Sequence, residues 1–301
     1  MSMSKCALIA AACAALITVA GCSAPAAGSP SGGAPDGGQT PGQEKSLGAI
    51  TVISREDGSG TRSAFVELFE LRDDSNPDLT AASAEITNNT AVMMTSVAGN
   101  AGAIGYISLG SLNDSVKALK IDGAEASTEN VSNGSYPVSR PFNIAVKGKL
   151  SPSAQDFFDF IMSAEGQDVI EQSGYIRVPD SGPYSGAKPT GKVVVAGSSS
   201  VSPAMDALQE AYVAIQPGAE IEIQQSDSSS GMNATIDGIC DIGMASRELK
   251  DSEIEKGLTS TKIAIDGIAV IVNNGNPLDG LASEQVRAIF SGEAKEWTEF
   301  Q

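Results

Sequence analysis

Three short loops rich in serine, threonine and glycine constrain most strongly how this chain can fold. Each loop lies between an apolar segment typical of a strand and a segment typical of a helix. The loops are Gly197-Ser-Ser-Ser200, Ser226-Asp-Ser-Ser-Ser-Gly231 and Asp57-Gly-Ser-Gly-Thr61. The strand candidates before them are Val193–Ala196, Ile221–Ile223 and Thr51–Ser54. Because strands and helices alternate along the chain, the sequence predicts an α/β architecture.

Other segments continue this alternation. The further strand candidates are Ala103–Ile107, Phe142–Val146, Asp241–Met244 and the longest one, Ile263–Asn273. Helical spacing of apolar residues predicts helices around Phe65, Val66 and Phe69, around Ala154, Phe157, Phe158 and Ile161, and over Met232–Gly238. Another helix is expected to begin near Ser202-Pro203, where serine can cap and proline suits the first turn.

Composition excludes several classes of function. The chain has 301 residues, a length that predicts two modest domains, since a domain has roughly 100–200 residues. It has no histidine, which excludes Ser-His-Asp and Cys-His nucleophile systems and histidine metal sites. The 19 basic and 37 acidic residues give a net charge of −18. This charge argues against nucleic acid or an anionic membrane surface as the main partner.

The N-terminus has the pattern of an exported lipoprotein. Lys5 precedes an apolar run that is too short to span a membrane comfortably, and the run ends in Val19-Ala-Gly-Cys22, which resembles the bacterial lipobox. We therefore expect a signal peptide over residues 1–21, a lipid on Cys22, and a disordered tether over residues 22–47. A plain signal peptide or an uncleaved anchor are the alternatives. The predicted location is the outer face of the cell membrane.

Cysteine usage agrees with this prediction. If Cys22 carries the lipid, Cys240 is the one cysteine in the folded part, so neither an intramolecular disulfide nor a cysteine metal cluster is expected. Isoleucines close to Cys240 in sequence predict that it is a small buried apolar residue.

The three loops have the chemistry of an oxyanion site. Glycines allow a close approach of the backbone to a ligand, and hydroxyls add donors beside the free N–H groups of a helix N-terminus. Arg55 would supply a full positive charge and a planar two-donor fork, and Asp57 is placed to hold that guanidinium. An ordinary turn is the alternative for any one loop, but three loops in equivalent positions favour a shared site.

At these residues the chain resembles the phosphate-binding proteins of bacterial phosphate ABC transporters. The resemblance extends from Ala49 to Gln301. Four segments carry it: Val195-Ala-Gly-Ser-Ser-Ser-Val-Ser-Pro203, Ser226–Gly231, Asp241-Ile-Gly-Met-Ala-Ser-Arg-Glu-Leu249 and Arg55-Glu-Asp-Gly-Ser-Gly-Thr-Arg62.

This resemblance implies a type II periplasmic-binding-protein fold, with two α/β lobes and a ligand cleft between them. The order of the segments differs from the family's usual order, because the arginine segment comes first here, so we expect a circularly permuted chain. The first sequence block covers residues 48–178, a connector covers 179–191, and the second block covers 192–301. The lobes are expected to be approximately residues 191–271 with 141–178, and 272–301 with 48–140.

The resemblance also assigns site residues one by one. The phosphate-binding positions that it implies are Ser199, Ser200, Ser228, Ser246, Arg55, Ser59, Gly60 and Thr61. Supporting positions are Asp57, Asp227 and Arg247. Ser246 stands where many relatives have an aspartate that accepts a hydrogen bond from protonated phosphate. A serine can donate to phosphate or to sulfate, and Asp227 or Glu248 are the candidates for a replacement acceptor.

The function that the resemblance implies is capture without catalysis. Phosphate would bind between the lobes, hinge closure would bury it, and the closed form would dock on an ABC permease driven by cytoplasmic ATPase subunits. No cofactor or metal is expected. The alternatives are a phosphate sensor or adhesin of the same fold, or an exported serine-type phosphatase, for which the sequence offers no histidine as activating base.

Overall fold

The structure is a computed structural model that describes residues 47–73, 75, 77–187 and 189–300. The predicted signal peptide, Cys22 and the tether up to residue 46 lie outside the described residues. Within the described part, no helix combines the length and the hydropathy that crossing a membrane requires.

The strands, in chain order, are β1 Thr51–Arg55, β2 Glu85–Thr87, β3 Ala103–Ser108, β4 Lys117–Ala118, β5 Lys120–Ile121, β6 Ser139–Lys147, β7 Ile176–Arg177, β8 Gly191–Ser198, β9 Ala219–Ser226, β10 Ile242–Ala245, β11 Leu258–Val272 and β12 Gly280–Leu281. The α-helices are α1 Gly60–Leu68, α2 Thr90–Gly99, α3 Thr128–Ser132, α4 Pro152–Met162, α5 Ala164–Gln172, α6 Ser202–Ile215, α7 Ser228–Ile236, α8 Asp251–Ile254 and α9 Ser283–Ser291. Short 3₁₀ turns cover Leu109–Ser111 and Trp297–Phe300.

A single long sheet runs through the folded part, with strand order β2-β1-β3-β11-β6-β10-β8-β9. The long strand β11 joins its two halves: residues Leu258–Gly267 pair antiparallel with β6, and Ile268–Val272 pair antiparallel with β3. On either side of this centre the strands pair in parallel, β1 with β2 and β3, and β8 with β9 and β10. Parallel strands joined through helices place the loops after β1, β8 and β9 beside the helix N-termini that follow.

Two lobes are built on the two halves of this sheet. The first lobe has a core around Phe65, Tyr106, Phe290 and Trp297, in which the rings of Phe65 and Tyr106 stack with centroids 4.0 Å apart. The second lobe has a separate core that includes Phe157, Phe160 and Tyr212. The chain passes between the lobes at two adjacent points, since Ser139 at the start of β6 is paired with Gly267 in β11. We therefore expect the two lobes to rotate relative to each other about these two crossing points.

The predicted strands and helices are confirmed, with differences at their ends. The loop expected over Ser226–Gly231 is shorter, because β9 continues to Ser226 and α7 begins at Ser228. Helix α6 is preceded by Val201 without a side-chain cap, and the Ser202 hydroxyl donates to the Ser198 carbonyl at 3.3 Å, so the expected serine cap at Ser202 is wrong. Cys240 is buried, as predicted, 3.3 Å from the Thr235 hydroxyl.

The connector between the two sequence blocks is fastened to the second lobe by a buried carboxylate. Asp156 in α4 accepts hydrogen bonds from the hydroxyls of Tyr184 and Tyr212, at 2.6 and 2.7 Å, and from the backbone N–H of Ala187 at 2.9 Å. Burial alone raises the pKa of Asp156, but these three donors outweigh it and lower the pKa below its ordinary value.

The beginning and the end of the described chain meet in the first lobe. Ala49 forms an antiparallel bridge with Glu296, and the Ile50 N–H donates to the Lys295 carbonyl at 2.8 Å. The buried Trp297 donates from its ring nitrogen to the Gly102 carbonyl at 2.9 Å. The segment that precedes β1 is therefore continuous in space with the segment that follows α9.

Candidate functional site

The loops after β1, β8 and β9 face one another between the lobes. The loop after β1 ends at Ser59, which caps α1 by accepting from the Arg62 N–H at 3.3 Å. Gly58 in this loop has a φ of +88°, a left-handed conformation that favours glycine. Its carbonyl accepts a hydrogen bond from the Ser229 N–H of the second lobe at 3.2 Å. The site is therefore closed around residues of both lobes.

Arg55 supplies a guanidinium at the centre of this site. It is the last residue of β1 and only 2 % exposed. Its Nε and Nη2 donate to the two carboxylate oxygens of Glu56, each at 2.8 Å, and Nη2 also donates to the Ser199 hydroxyl at 2.9 Å. Its Nη1 is buried and has no hydrogen-bond partner among the residues described. Such a charged donor is costly to leave unpaired, which points to an anionic ligand.

The structure corrects the expected role of Asp57. Glu56, and not Asp57, holds the Arg55 guanidinium, because the side chain of Asp57 is 99 % exposed and lies 3.0 Å from Arg62 instead. Arg62 in turn donates from Nη1 to the Arg55 carbonyl at 2.8 Å. Within the described part of the chain, the Asp57 carboxylate is connected to Arg55 through Arg62.

A second contact between the lobes joins two hydroxyls. Thr61, in the first turn of α1, lies 2.7 Å from the Ser200 hydroxyl, and Thr90, at the start of α2, lies 3.5 Å from the same oxygen. Ser200 is buried and lies two residues before the start of α6. These hydroxyls can donate or accept, so they can reorient toward an oxyanion.

Three further serines of the second lobe contribute to the site, beside Ser199 and Ser200. The Ser198 hydroxyl donates to the Ser246 hydroxyl at 2.9 Å, and the Ser246 N–H donates to the Ser228 hydroxyl at 3.1 Å. Gly60 of α1 lies against them, because a Cβ on Gly60 would come within 2.6 Å of the Ser246 hydroxyl oxygen. We call the buried group formed by Arg55, Ser59, Gly60, Thr61, Ser198, Ser199, Ser200, Ser228 and Ser246 the cradle.

The acidic candidates for a replacement acceptor have other contacts. Asp227 caps α7 by accepting from the Ser230 N–H at 2.9 Å, and it lies against Gly58. Glu248 accepts from the Asn143 side-chain amide at 3.2 Å and is exposed. Glu56 lies outside the cradle as defined above, but its carboxylate accepts two hydrogen bonds from the cradle residue Arg55.

Arg247, a predicted supporting residue, is buried beside the cradle. It donates to both carboxylate oxygens of Glu253, at 2.8 and 2.9 Å, and to the Ser229 hydroxyl at 3.2 Å. Burial alone raises the pKa of Glu253, but the hydrogen bond and charge of Arg247 outweigh it and lower that pKa.

Sequence reasoning brought together most of the cradle and missed Glu56, Ser198 and Thr90. Ser198 lies in a predicted loop, but nothing in the sequence distinguishes it from Ser199. Thr90 follows Asn88-Asn89, which is a helix-start signal that could have placed it near the site, because Asn89 caps α2. In the described part, no group of three or more acidic or cysteine side chains is arranged to hold a metal ion.

The chain is similar to known proteins over most of its length. The family model of the PBP superfamily domain matches residues 43–165 and 182–301. The chain is 49 % identical over 259 residues to phosphate-binding protein PstS 2 of Streptococcus agalactiae serotype V, covering 84 % of this chain and 88 % of the relative. It is 45 % identical over 259 residues to PstS 2 of Streptococcus pneumoniae serotype 4, covering 85 % and 89 %.

A solved structure is similar over most of the chain. The crystal structure of a phosphate-binding protein of a phosphate ABC transporter from Streptococcus pneumoniae superimposes with a TM-score of 0.67 at 45 % identity. The match covers 84 % of this chain and 100 % of that chain. The α/β fold with two lobes, the family match and these relatives together show that the chain belongs to the PBP superfamily, in the family of the phosphate-binding proteins.

Proposed function

We propose that this protein captures inorganic phosphate outside the cytoplasm and delivers it to an ABC permease for import. The relatives that are 45–49 % identical are named phosphate-binding proteins, and the solved relative belongs to a phosphate ABC transporter. The protein binds and releases its ligand and does not convert it. Its partners are phosphate and the permease subunits.

The observation that carries this proposal is the buried Nη1 of Arg55, which has no hydrogen-bond partner among the described residues. Glu56 and Ser199 use the other nitrogens of the guanidinium, so one charged N–H group remains for a ligand in a site that is otherwise built from hydroxyls. The hydroxyls of Ser199, Ser200, Thr61, Ser228 and Ser246 can complete the shell of donors. Such a shell suits a compact oxyanion and requires only one full positive charge.

Closure between the lobes is the mechanism of capture. Both lobes contribute donors, and the pairs Arg55–Ser199 and Thr61–Ser200 cross the cleft. When the lobes separate at Ser139 and Gly267, these pairs break and the donors become accessible to phosphate. Closure around phosphate replaces direct contacts between lobes by contacts through the anion.

The anchoring of the chain is also part of the proposal. Cys22 carries the lipid, residues 22–47 form the tether, and the folded part stays at the outer face of the membrane close to the permease. Support comes from the lipobox-like Val19-Ala-Gly-Cys22 and from the export pattern before it.

We further propose that the chain is a circular permutant of the family's usual order. The segment before β1 and the segment after α9 are adjacent, since Ala49 bridges Glu296, which is compatible with a family order in which the second segment continues directly into the first. The connector over residues 179–191 then links the usual termini, and Asp156 fastens it. Permutation is compatible with a fold whose termini meet at the surface.

Isothermal titration calorimetry tests the function. Residues 23–301 would be stripped of anion by unfolding and refolding in phosphate-free buffer, then titrated with phosphate and with sulfate. We expect one phosphate per chain, and at least about a hundredfold weaker binding in Arg55→Ala, because the charged guanidinium donor of the site is lost. The matched control is Arg287→Ala, an exposed arginine that donates to the Glu70 carbonyl. Absence of phosphate binding in the unaltered protein would overturn the proposal.

A further inference from the structure

The lobes also touch outside the cradle, where the end of β3 meets the start of β7. The first lobe contributes Ser108, the last residue of β3, and the 3₁₀ turn Leu109–Ser111 that follows it. The second lobe contributes Tyr175, which directly precedes β7 and is 1 % exposed. Its ring packs on Phe142 of the second core, with centroids 5.3 Å apart. Tyr175 is therefore held by the second lobe.

The Tyr175 ring lies directly against the backbone of Gly110 in the first lobe. A Cβ on Gly110 would overlap the ring at Cε1 and Cζ and would lie 2.8 Å from the hydroxyl oxygen. These three nearest atoms all belong to Tyr175. The two lobes approach each other this closely because position 110 has no side chain.

Hydrogen bonds between the lobes flank this contact. Asp266, in β11 beside the crossing point, accepts from the Ser108 hydroxyl at 2.9 Å and from the Gly110 N–H at 3.4 Å. Thr128, in α3 of the first lobe, donates from its hydroxyl to the Gly174 carbonyl at 3.1 Å. We call the surface formed by these residues the floor interface: Ser108, Gly110 and Thr128 in the first lobe, and Gly174, Tyr175 and Asp266 in the second.

The floor interface lies on the cleft side of the crossing points. Arg140 donates to Asp266 at 3.1 Å, and it lines a cavity of about 530 Å³ between the lobes together with Ser59 of the cradle. Burial lowers the pKa of Arg140, and the nearby charge of Arg55 lowers it further. The lobes approach each other on this side when the cleft closes. In this structure the floor interface and the Arg55–Ser199 contact are formed together.

We propose that the floor interface stabilises the closed form and thereby raises the affinity for phosphate, with Gly110, Thr128 and Tyr175 as positioning residues that do not touch the ligand. The inference rests on the proposed function, because it takes phosphate as the ligand that closes the cleft. In the open form Tyr175 moves away from Gly110, and the Gly174 carbonyl loses Thr128. Free energy gained when these contacts form again adds to the free energy gained in the cradle.

Gly110→Ala tests the close packing. We expect phosphate to bind about tenfold or more weakly and to dissociate faster. The free energy of unfolding of the phosphate-free protein should change little, because the open form has room for the added Cβ. Tyr175→Leu removes the ring atoms that this Cβ would meet, so in that background Gly110→Ala should weaken binding by less than about threefold. The matched control is Gly99→Ala, where an added Cβ meets nothing within 4 Å.

Thr128→Ala and Thr128→Ser test the hydrogen bond to Gly174. Both variants keep the cap of α3, because Ser127 provides it by accepting from the Asn130 N–H at 3.2 Å. Serine retains the hydroxyl, whereas alanine removes it. We expect Thr128→Ser to match the unaltered protein and Thr128→Ala to bind phosphate about threefold or more weakly, through faster dissociation.

Calorimetry gives the affinities, displacement of radiolabelled phosphate gives the dissociation rates, and urea denaturation gives the unfolding free energies. Three results each overturn the inference: unchanged affinity in Gly110→Ala, a loss that persists in the Tyr175→Leu background, or equal affinities of the two Thr128 variants. If a variant at position 110 or 175 does not fold, the Thr128 pair decides. Failure of the unaltered protein to bind phosphate overturns the proposed function, and this inference with it.

Discussion

Arg55 donates from Nη2 to the Ser199 hydroxyl at 2.9 Å and thereby links β1 of the first lobe to the loop that follows β8 in the second. The same guanidinium is held by Glu56, its own neighbour in the chain, through two hydrogen bonds of 2.8 Å. Because Glu56 belongs to the same lobe, this hold persists when the lobes separate. Arg55 is therefore oriented before the ligand arrives, which reduces the entropy lost on binding.

Gly60→Ala is predicted to obstruct closure of the lobes. A Cβ at this position would lie 2.6 Å from the Ser246 hydroxyl oxygen and 3.0 Å from the Ser246 carbonyl carbon, and backbone cannot move aside as easily as a side chain can. We expect phosphate affinity to fall by about tenfold or more, or about 1.4 kcal/mol, with little change in unfolding free energy, because alanine suits the first turn of α1.

Calorimetry and urea denaturation measure the two effects of Gly60→Ala. The matched control is Gly99→Ala at the end of α2, where an added Cβ meets nothing within 4 Å. Unchanged phosphate affinity in Gly60→Ala would show that the lobes do not close against this residue when phosphate is bound.

Ser246→Asp is predicted to sharpen the choice between phosphate and sulfate. Ser246 is fully buried and accepts from the Ser198 hydroxyl at 2.9 Å. A carboxylate there can accept a hydrogen bond from protonated phosphate but repels sulfate, which carries no proton at neutral pH. We expect sulfate affinity to fall by at least about tenfold relative to phosphate affinity.

Competitive calorimetry with the two anions measures this ratio. Ser246→Asn is the matched control, because asparagine has nearly the same size as aspartate without its charge. If asparagine lowers sulfate affinity as much as aspartate does, the cause is steric and the electrostatic prediction is wrong.

Sequence reasoning placed Arg55, Thr61, Ser199 and Ser200 at one site, and the structure brings these side chains within hydrogen-bond distance across the cleft. It chose the wrong carboxylate because Glu56 and Asp57 are adjacent, and spacing alone does not show which one turns toward Arg55. The Glu56 N–H still pairs with the Thr87 carbonyl, at 2.9 Å, whereas the next residue has left the sheet. The direction of the side chain therefore depends on where the strand ends.

The length of β11 was underestimated for a related reason. Its first residues, Leu258–Lys262, are mostly polar and solvent-facing, so they lack the continuous apolar pattern of Ile263–Val272. They form a strand because β6 pairs with them, and pairing between residues more than a hundred positions apart leaves no local signal.

Asp156→Asn is predicted to loosen the connector. An asparagine amide cannot accept from Tyr184, Tyr212 and the Ala187 N–H together, as the carboxylate does. We expect a loss of about 1–3 kcal/mol in unfolding free energy and faster proteolytic cleavage within residues 179–191. The matched control is Asp159→Asn on the exposed face of α4, where the carboxylate accepts only from Gln155 among the bonds described. Equal stability of the two variants would contradict the prediction.

Asp266, which directly precedes Gly267 at the crossing point between the lobes, is predicted to make the free energy of unfolding depend on pH. It is fully buried in β11, paired with Arg140 at 3.1 Å, and it accepts from the Ser108 hydroxyl at 2.9 Å. Burial raises its pKa to about 6, although Arg140 and Ser108 oppose that shift. Because the folded pKa lies above the unfolded value, the native chain takes up this proton first as the pH falls through about 6. Protonation of Asp266 therefore stabilises the folded state. Its contribution to the free energy of unfolding is complete below about pH 4 and is lost as the pH rises through about 6.

Urea denaturation of the unaltered protein and of Asp266→Asn at pH 7.5 and pH 4.5 isolates this contribution, since all other carboxylates are common to both. On lowering the pH from 7.5 to 4.5, we expect the unfolding free energy of the unaltered protein to rise by about 2 kcal/mol relative to that of Asp266→Asn. This is the free energy that the difference between the folded and unfolded pKa values of one carboxyl supplies over this range. Parallel changes in the two proteins would show that Asp266 keeps its ordinary pKa. A relative loss would mean that Arg140 outweighs burial and lowers that pKa.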